Sequence, residues 1–311
     1  MGSGAHPVRI AGYQGPASIL TASLLALAEQ LRPAFDTDAV QVEANVPAGG
    51  ESAAALFASV DRGARQICYI ATGYLALRVP ELAALDLPFT VRERSSALRA
   101  LDGAAGTALI AAIEARTGYQ VLGFWDNGFR HISNGVRPIR HPDDCAGLSI
   151  RTLDSAIYRE ALAALGFRPV SIDVKHLVRV VQTREVDAQE NPLTNYVNFD
   201  LSRYHRHVSL SGHFFGVLAL VCNRAWFASL TPLRQEALVA AAANATALQR
   251  TKAAGEDEGL MRQLRGQGVL MLEAPDLDLE AMKQATRFIV EREARSLSAQ
   301  MVSTYLDEVM R

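Results

Sequence analysis

A chain of 311 residues with 49% hydrophobic content can bury a large core, and its length favours two lobes over one compact domain. The formal net charge of −2 comes from well-mixed signs, so no basic face points to nucleic acid and no polybasic run to a lipid surface. The three cysteines, Cys68, Cys145 and Cys222, form no CxxC pair and are odd in number, which speaks against a zinc site, a redox dithiol and a complete internal disulfide framework; they read as small buried hydrophobes.

Residues 1–6 read as an expression-vector remnant, so any targeting segment is expected to have been cut away. A strand over 8–13 leads into apolar residues at helical spacing over 17–31; the apolar run 19–28 starts too late, and follows no basic segment, to be a signal sequence. A strand over 40–44, the turn Pro47-Ala48-Gly49-Gly50, a helix from about Glu51 and a buried strand over 66–71 follow. This alternation predicts an α/β fold with a mostly parallel sheet. After helices between 92 and 117 and a strand over 121–125, a second series begins. It comprises a strand over 148–151, a helix over 155–165 closed by Gly166, a strand over 169–172, a helix over 174–183 and a short strand over 188–190. A helical stretch from 231 to about 265 has no internal proline and is long enough to cross between lobes; one strand over 269–272 and two helices complete the chain. No run reaches about eighteen apolar residues without a charge, so a membrane-spanning helix is not signalled.

The common catalytic signatures are missing: no GxSxG elbow, HExxH, P-loop or GxGxxG between strand and helix, which weighs against an enzyme. His205 and His207, flanked by Arg203 and Arg206, sit in a cationic setting hostile to a metal and read as surface residues. His213 falls at the end of a strand-like run near a crossover, where a hinge role and a ligand contact are equally open. The richest region is 123–192, in which Arg130, Arg151 and Asn191 lie at strand ends. In open α/β sheets ligands bind beyond the carboxyl ends of strands.

At this point the order of motifs resembles the solute-binding proteins of TRAP (tripartite ATP-independent periplasmic) transporters, over nearly the whole chain. The residues are Gly49-Gly50-Glu51, Val79-Pro80-Glu81-Leu82, Leu85-Asp86-Leu87-Pro88-Phe89, Leu101-Asp102-Gly103, Gly128-Phe129-Arg130, the 147–151 strand and Gln189-Glu190-Asn191-Pro192. The resemblance implies a two-lobed α/β fold of the type II periplasmic-binding kind, each lobe a mixed, mostly parallel sheet flanked by helices, with a long helix spanning both. Lobe I is expected to take 1–127 with 213–252 and lobe II 128–212 with 253–311. It further implies that Arg151 grips a ligand carboxylate, with Arg130 adding to the anion site and Asn191 donating to the same group. A guanidinium suits this role because it offers parallel donors and stays charged. A surface arginine, or one paired with Asp154, is the alternative for Arg151; Asp126 or Asp187 could claim Arg130, and Asn191 before Pro192 could be a turn residue.

Glu51 matches a position that sometimes reaches a ligand hydroxyl or amine, although the helix dipole alone would favour a carboxylate there. Tyr13, Gln14, Thr72, Gly73 and Phe214, with His213, match positions that line the family's cleft. The chain departs from the pattern at Arg65-Gln66-Ile67-Cys68 and at Gly212-His213. The ligand is expected to be a small organic carboxylate, with Tyr13, Trp125, Phe167, Phe214 and Phe215 as candidates for its far end. A sugar acid or a keto, hydroxy or aromatic acid fits better than a dicarboxylate, which needs a second cation. The resemblance also implies a monomeric periplasmic protein that delivers its ligand to TRAP membrane permease subunits, without cofactor, metal or catalysis. The competing readings are a ligand sensor, an enzyme using Asp187, Glu190 or His213 as base, and a binder holding a cation on Gln189 and Glu190.

Overall fold

The computed structural model describes residues 7–35, 39–296 and 299–309; the segment 1–6, read above as a vector remnant, lies outside them. In the first half, β1 (Val8–Ala11), α1 (Ile19–Phe35) and β2 (Val40–Glu43) form a parallel unit, followed by α2 (Ala53–Asp61) and β3 (Ile67–Ala71). The α2 start is set by Ser52, whose side chain accepts the Ala55 N–H, one of the donors a helix leaves open at its first turn. β3 is buried along its whole length, as its apolar Ile-Cys-Tyr-Ile-Ala sequence requires. Helices α3 (Arg94–Asp102) and α4 (Ala104–Arg116) then lead into β4 (Tyr119–Asn134). Among the described residues no single helix is long and apolar enough to cross a membrane.

The second series comprises β5 (Ser149–Thr152), α5 (Ala156–Ala164), β6 (Arg168–Ser171), α6 (Leu177–Gln182), β7 (Ala188–Pro192) and α7 (Leu193–Asn198). It is followed by β8 (His207–Asn223), α8 (Arg224–Ser229), α9 (Pro232–Gly266), β9 (Leu270–Leu272), α10 (Leu279–Glu293) and α11 (Ala299–Val309). The strands make one sheet in the order β2-β1-β3-β8-β4-β7-β5-β6, with β9 on β8. Continuity comes from β4 and β8, 16 and 17 residues long, which pair antiparallel through both halves. The strand expected over 121–125 is thus only the start of β4. Its register breaks between Val121 and Gly123, Asp126 and Gly128, and Arg130 and Ile132. At the middle break Gly128 has φ +90°, a left-handed conformation open to glycine, and its N–H is held 2.8 Å from Asp126 Oδ1. β8 has Gly212 at φ +54° opposite the third break, between Phe214 and Ser209.

The 35-residue α9, about 50 Å long at 1.5 Å per residue, packs on α1 of the first half and α7 of the second. Its buried stripe of Leu238, Ala241, Ala242 and Ala245 is small enough for close approach to β4. Trp125 Nε1 donates to Thr246 Oγ1 at 3.0 Å, and Gln249 bonds both the N–H and the carbonyl of Asp126 (2.8 and 2.6 Å). Arg94 ties the same Asp126 to Asp257 of α9. The helix is therefore anchored on the strand at the point where its register breaks.

Among the described residues four clusters of apolar side chains form the interior. The largest lies in the first half and includes Val302, Tyr305 and Val309, so α11 belongs there and corrects the grouping of all of 253–311 with the second lobe. The second half holds two clusters, around Ile150 and Phe167 and around Val180 and Tyr196. A fourth joins the halves: Ala83 meets Leu153, Ile157 and Tyr158, with Phe214 and Ile289. Each large side chain so buried contributes roughly 1.5–3 kcal/mol. The three cysteines are free and buried. His205, expected at the surface, is 2% exposed with Nδ1 3.1 Å from Ser133 Oγ, and burial pushes its imidazole down to about 4. Neighbouring arginines in sequence do not fix where a ring points.

Candidate functional site

On the second half, β5 and β7 lie side by side with Arg151 opposite Gln189, so Arg151, Glu190 and Asn191 come together at the strand ends. Arg151 is 2% exposed. Its Nε donates to the Ile172 carbonyl at 2.8 Å, while Nη2, also buried, has no hydrogen-bond partner among the described residues. The hydroxyl of Tyr74, from the first half, lies beside this guanidinium. An unmatched buried cation is costly to fold around unless something else completes it.

Arg130 on β4 is equally buried but is paired with an anion. Its Nε and Nη2 bond the two oxygens of Glu190, and Nη2 also reaches the Glu190 carbonyl (2.9 Å) and Asn191 Oδ1 (3.1 Å). Thr152 Oγ1 donates to the same carboxylate at 2.8 Å. Burial works to raise the Glu190 carboxyl, but the Arg130 guanidinium outweighs it and holds the group down at about 2. The residue that claims Arg130 is thus Glu190, not Asp126 or Asp187: Asp126 pairs with Arg94, and Asp187 accepts from the Ser149 N–H and Oγ at 2.8 and 2.7 Å. The Arg130 guanidinium also sits 5.4 Å over the Tyr158 ring, which stacks on Phe214 at 4.0 Å and 5°. Asn191 Nδ2 donates to Gln189 Oε1 at 2.6 Å and Oδ1 accepts from Asn195 at 3.3 Å, so its amide braces β7 as well as facing the site.

His213 is 1% exposed, and burial lowers its pKa. Its Nδ1 meets Ser211 Oγ at 2.7 Å; Nε2 stands 3.8 Å from Glu190 Oε2, too far for a hydrogen bond, and is unmatched. From the first half come Tyr13 and Gln14 at the end of β1. Tyr13 packs against Phe57 and Tyr69, with ring centroids 5.6 and 4.8 Å apart, and Gln14 presents a buried, unmatched Oε1. Thr72 turns away, its hydroxyl donating to the Val217 carbonyl at 3.1 Å. Gly73 allows the halves to meet: a Cβ there would come within 3.0 Å of Leu153 Cδ1.

Three expectations change. Glu51 gives both oxygens to Arg65 (2.8 and 2.7 Å), whose hydrogen bonds hold the carboxyl below its ordinary range, so in this geometry its carboxylate is engaged within the first half. The departure at Arg65 therefore matters, because it supplies that partner. Trp125 and Phe167 lie in the cores of the two halves and not at the cleft. The aromatic rings near the two arginines also include Tyr74 and Tyr158, which no sequence motif singled out. For Gln189 and Glu190 as cation ligands, Glu190 is taken by Arg130 and Gln189 donates to Ser133 Oγ at 2.7 Å. Among the described residues no group of three or more His, Cys, Asp or Glu could hold a metal ion.

A cleft of about 440 Å³ opens between the halves, lined by Phe57, Tyr74 and Leu77 on one side and Asp154, Ile172 and Asp173 on the other. Tyr74 and Ile172, which flank Arg151, are among its walls. The arrangement can hold one small anion at a buried guanidinium and place polar acceptors and aromatic faces around the rest of it.

Residues 41–296 match the family described as DctP, bacterial extracellular solute-binding protein, family 7. An uncharacterized protein of Haemophilus influenzae is 35% identical over 194 residues, 62% of this chain and 59% of its own length. The 2,3-diketo-L-gulonate-binding periplasmic protein YiaO of Escherichia coli is 32% identical over 206 residues, 66% of this chain and 62% of its own. The matched stretch spans 59–65% of the length of the first three such relatives. Among solved structures, the sugar acid binding protein DctPAm of Advenella mimigardefordensis in complex with galactonate superposes with a TM-score of 0.92 at 24% identity, covering 98% of both chains. A TRAP periplasmic solute-binding protein of Polaromonas bound to D-erythronate does so with a TM-score of 0.90 at 25% identity, over 97% of this chain and 98% of the other.

Proposed function

This chain belongs to bacterial extracellular solute-binding protein family 7, the solute-binding proteins of TRAP transporters, and from that premise we propose that it captures a hydroxylated monocarboxylate in the cleft and delivers it, in the periplasm, to a membrane permease. The observation that carries the ligand charge is the unmatched Nη2 of buried Arg151. Arg130 is already neutralised by Glu190, so of these two arginines Arg151 remains among the described residues without an anion, and one carboxylate completes it. The mouth offers Asp154 and Asp173 where a dicarboxylate would need a cation. Gln14 Oε1, Asn127 Oδ1, Asn195 Oδ1 and His213 Nε2 are buried and unmatched, and ligand hydroxyls are the groups that would satisfy them. Galactonate and D-erythronate, held by two similar structures, are of this chemical type.

The mechanism is hinge closure. The lobes are taken as 1–127 with 213–252 and 128–212 with 253–296, α11 resting on the first, and the hinge as the register breaks of β4 with Gly212 of β8. The carboxylate contacts Arg151 and the hydroxyls reach Gln14 across the cleft, so ligand stabilises the closed state by contacts the open state lacks. Binding without turnover fits the side chains present: Glu190 and Asp187, the acids named as candidate bases, are held by Arg130 and by Ser149.

A thermal-shift panel of sugar acids, hydroxy and keto acids, aromatic acids and C4-dicarboxylates tests this reading. A ligand at a hundred times its Kd adds about 2.7 kcal/mol of stability to the folded state. Hydroxylated monocarboxylates are expected to raise the melting temperature; a response confined to dicarboxylates would overturn the charge count.

A further inference from the structure

We propose that closing the cleft on its ligand takes up one proton, held by the carboxyl group of Asp86. The proposal rests on the carboxylate-binding reading above and adds a coupled proton to it.

Asp86 ends the 3-10 segment Pro80–Asp86 of the first half and is 2% exposed. Its Oδ2 accepts the Ser155 hydroxyl at 3.1 Å, and Ser155 is the N-cap of α5 on the second half, so this bond crosses the seam. On the near side a Cβ at Gly73 would stand 3.3 Å from the same oxygen. Among the described residues no cationic side chain forms an ion pair with it. A carboxylate removed from water and offered one neutral hydroxyl is poorly stabilised, and the neutral acid, which can keep that bond, is favoured.

The surrounding groups do not reverse this. Arg130 on β4 is near enough to pull the Asp86 carboxyl down, but Glu190 on β7 pushes it up and already neutralises Arg130. Tyr158 on α5 and Tyr305 on α11 face it as hydroxyls that burial keeps protonated. His213 on β8 is driven towards its neutral form by burial. Burial prevails, and the Asp86 carboxyl is pushed up to about 7. A ligand carboxylate at Arg151 brings one more negative charge into the same interior and favours the proton further. With the halves apart, water reaches the seam and Asp86 titrates near the ordinary value of about 4.

The sign of the pH dependence follows. Below about pH 4 Asp86 is protonated in both open and closed forms and adds no slope of its own, while the ligand carboxylate begins to lose its charge; between about 4 and 7 only the closed form keeps the proton, so affinity falls by up to tenfold per pH unit as pH rises; above about 7 both are ionised and the slope levels off. The test is calorimetry at pH 6 with the acid that most raises the melting temperature in the panel, run in phosphate and in MES. The observed heat is expected to differ between the buffers by the equivalent of nearly one proton taken up. Asp86→Asn, which keeps an oxygen for Ser155, is expected to remove both the difference and the pH slope. Ser155→Ala, which keeps the acid and removes its donor, should retain the uptake and carry it to higher pH; it serves as the test if the asparagine variant does not fold. Equal heats in the two buffers for the natural chain, or undiminished uptake in Asp86→Asn, would overturn the proposal. A panel in which no acid shifts the melting temperature overturns the functional reading instead, and the two failures are told apart by that shift.

Discussion

Arg130 and Arg151 are equally buried, each 2% exposed, on strands of the same sheet, yet their surroundings are opposite. Around Arg130, Nε and Nη2 are answered by Glu190 and Asn191, and the guanidinium lies over the Tyr158 ring. Around Arg151 a backbone carbonyl and a tyrosine hydroxyl leave one nitrogen bare. The difference separates a charge that is paired within the second half from one left open, the one proposed to meet the ligand, and it lies in the partners and not in the residue type or its depth.

The widest effect should come from breaking the satisfied pair. Glu190→Gln leaves Arg130 buried without its anion and is expected to lower unfolding stability by about 3–5 kcal/mol, read from the urea midpoint. Arg151→Ala should do the reverse: stability held or slightly raised in the absence of ligand, and affinity by calorimetry weakened by about 2–5 kcal/mol. An unchanged dissociation constant would remove Arg151 from the site. The pair also sets an acid limit. Glu190 is held at about 2 in the folded chain, so its contribution is complete above about pH 4.5 and is lost as pH falls towards 2. The natural chain should show this loss in its melting temperature and Glu190→Gln should not. The smallest effect is expected from Gly73→Ala, whose methyl would press on Leu153; a few-fold loss of affinity with little change in stability would place that contact on the closing path.

Much of the frame was legible because helices and short buried strands carry their own periodicity: α9 was expected over 231–265 and is Pro232–Gly266. For β4 the sequence predicts only the five residues 121–125 of its 16, because three register breaks shift which side chains face inward and so erase the alternation that marks a strand. Arg151 could be singled out from motif order, since its strand-end place is local. Its missing partner could not, because that is a property of everything around it, and Glu190 as the owner of Arg130 comes from a strand about sixty residues away. The reach of Arg65 to Glu51 was hidden in the same way.

The order of the strands bears on how the chain acquires this shape. β3 (Ile67–Ala71) is separated from β4 by β8, which is not available until residue 223 has been made, and the first core is finished by α11 at residues 299–309. An N-terminal half growing from the ribosome therefore has no complete core to collapse onto, and it shows an unpaired β3 edge for most of its synthesis. Such long-range pairings fold slowly and leave sticky edges exposed. β8 thus makes the molecule one late cooperative event: a chain cut anywhere before it is expected to be not half a fold but a substrate for chaperones.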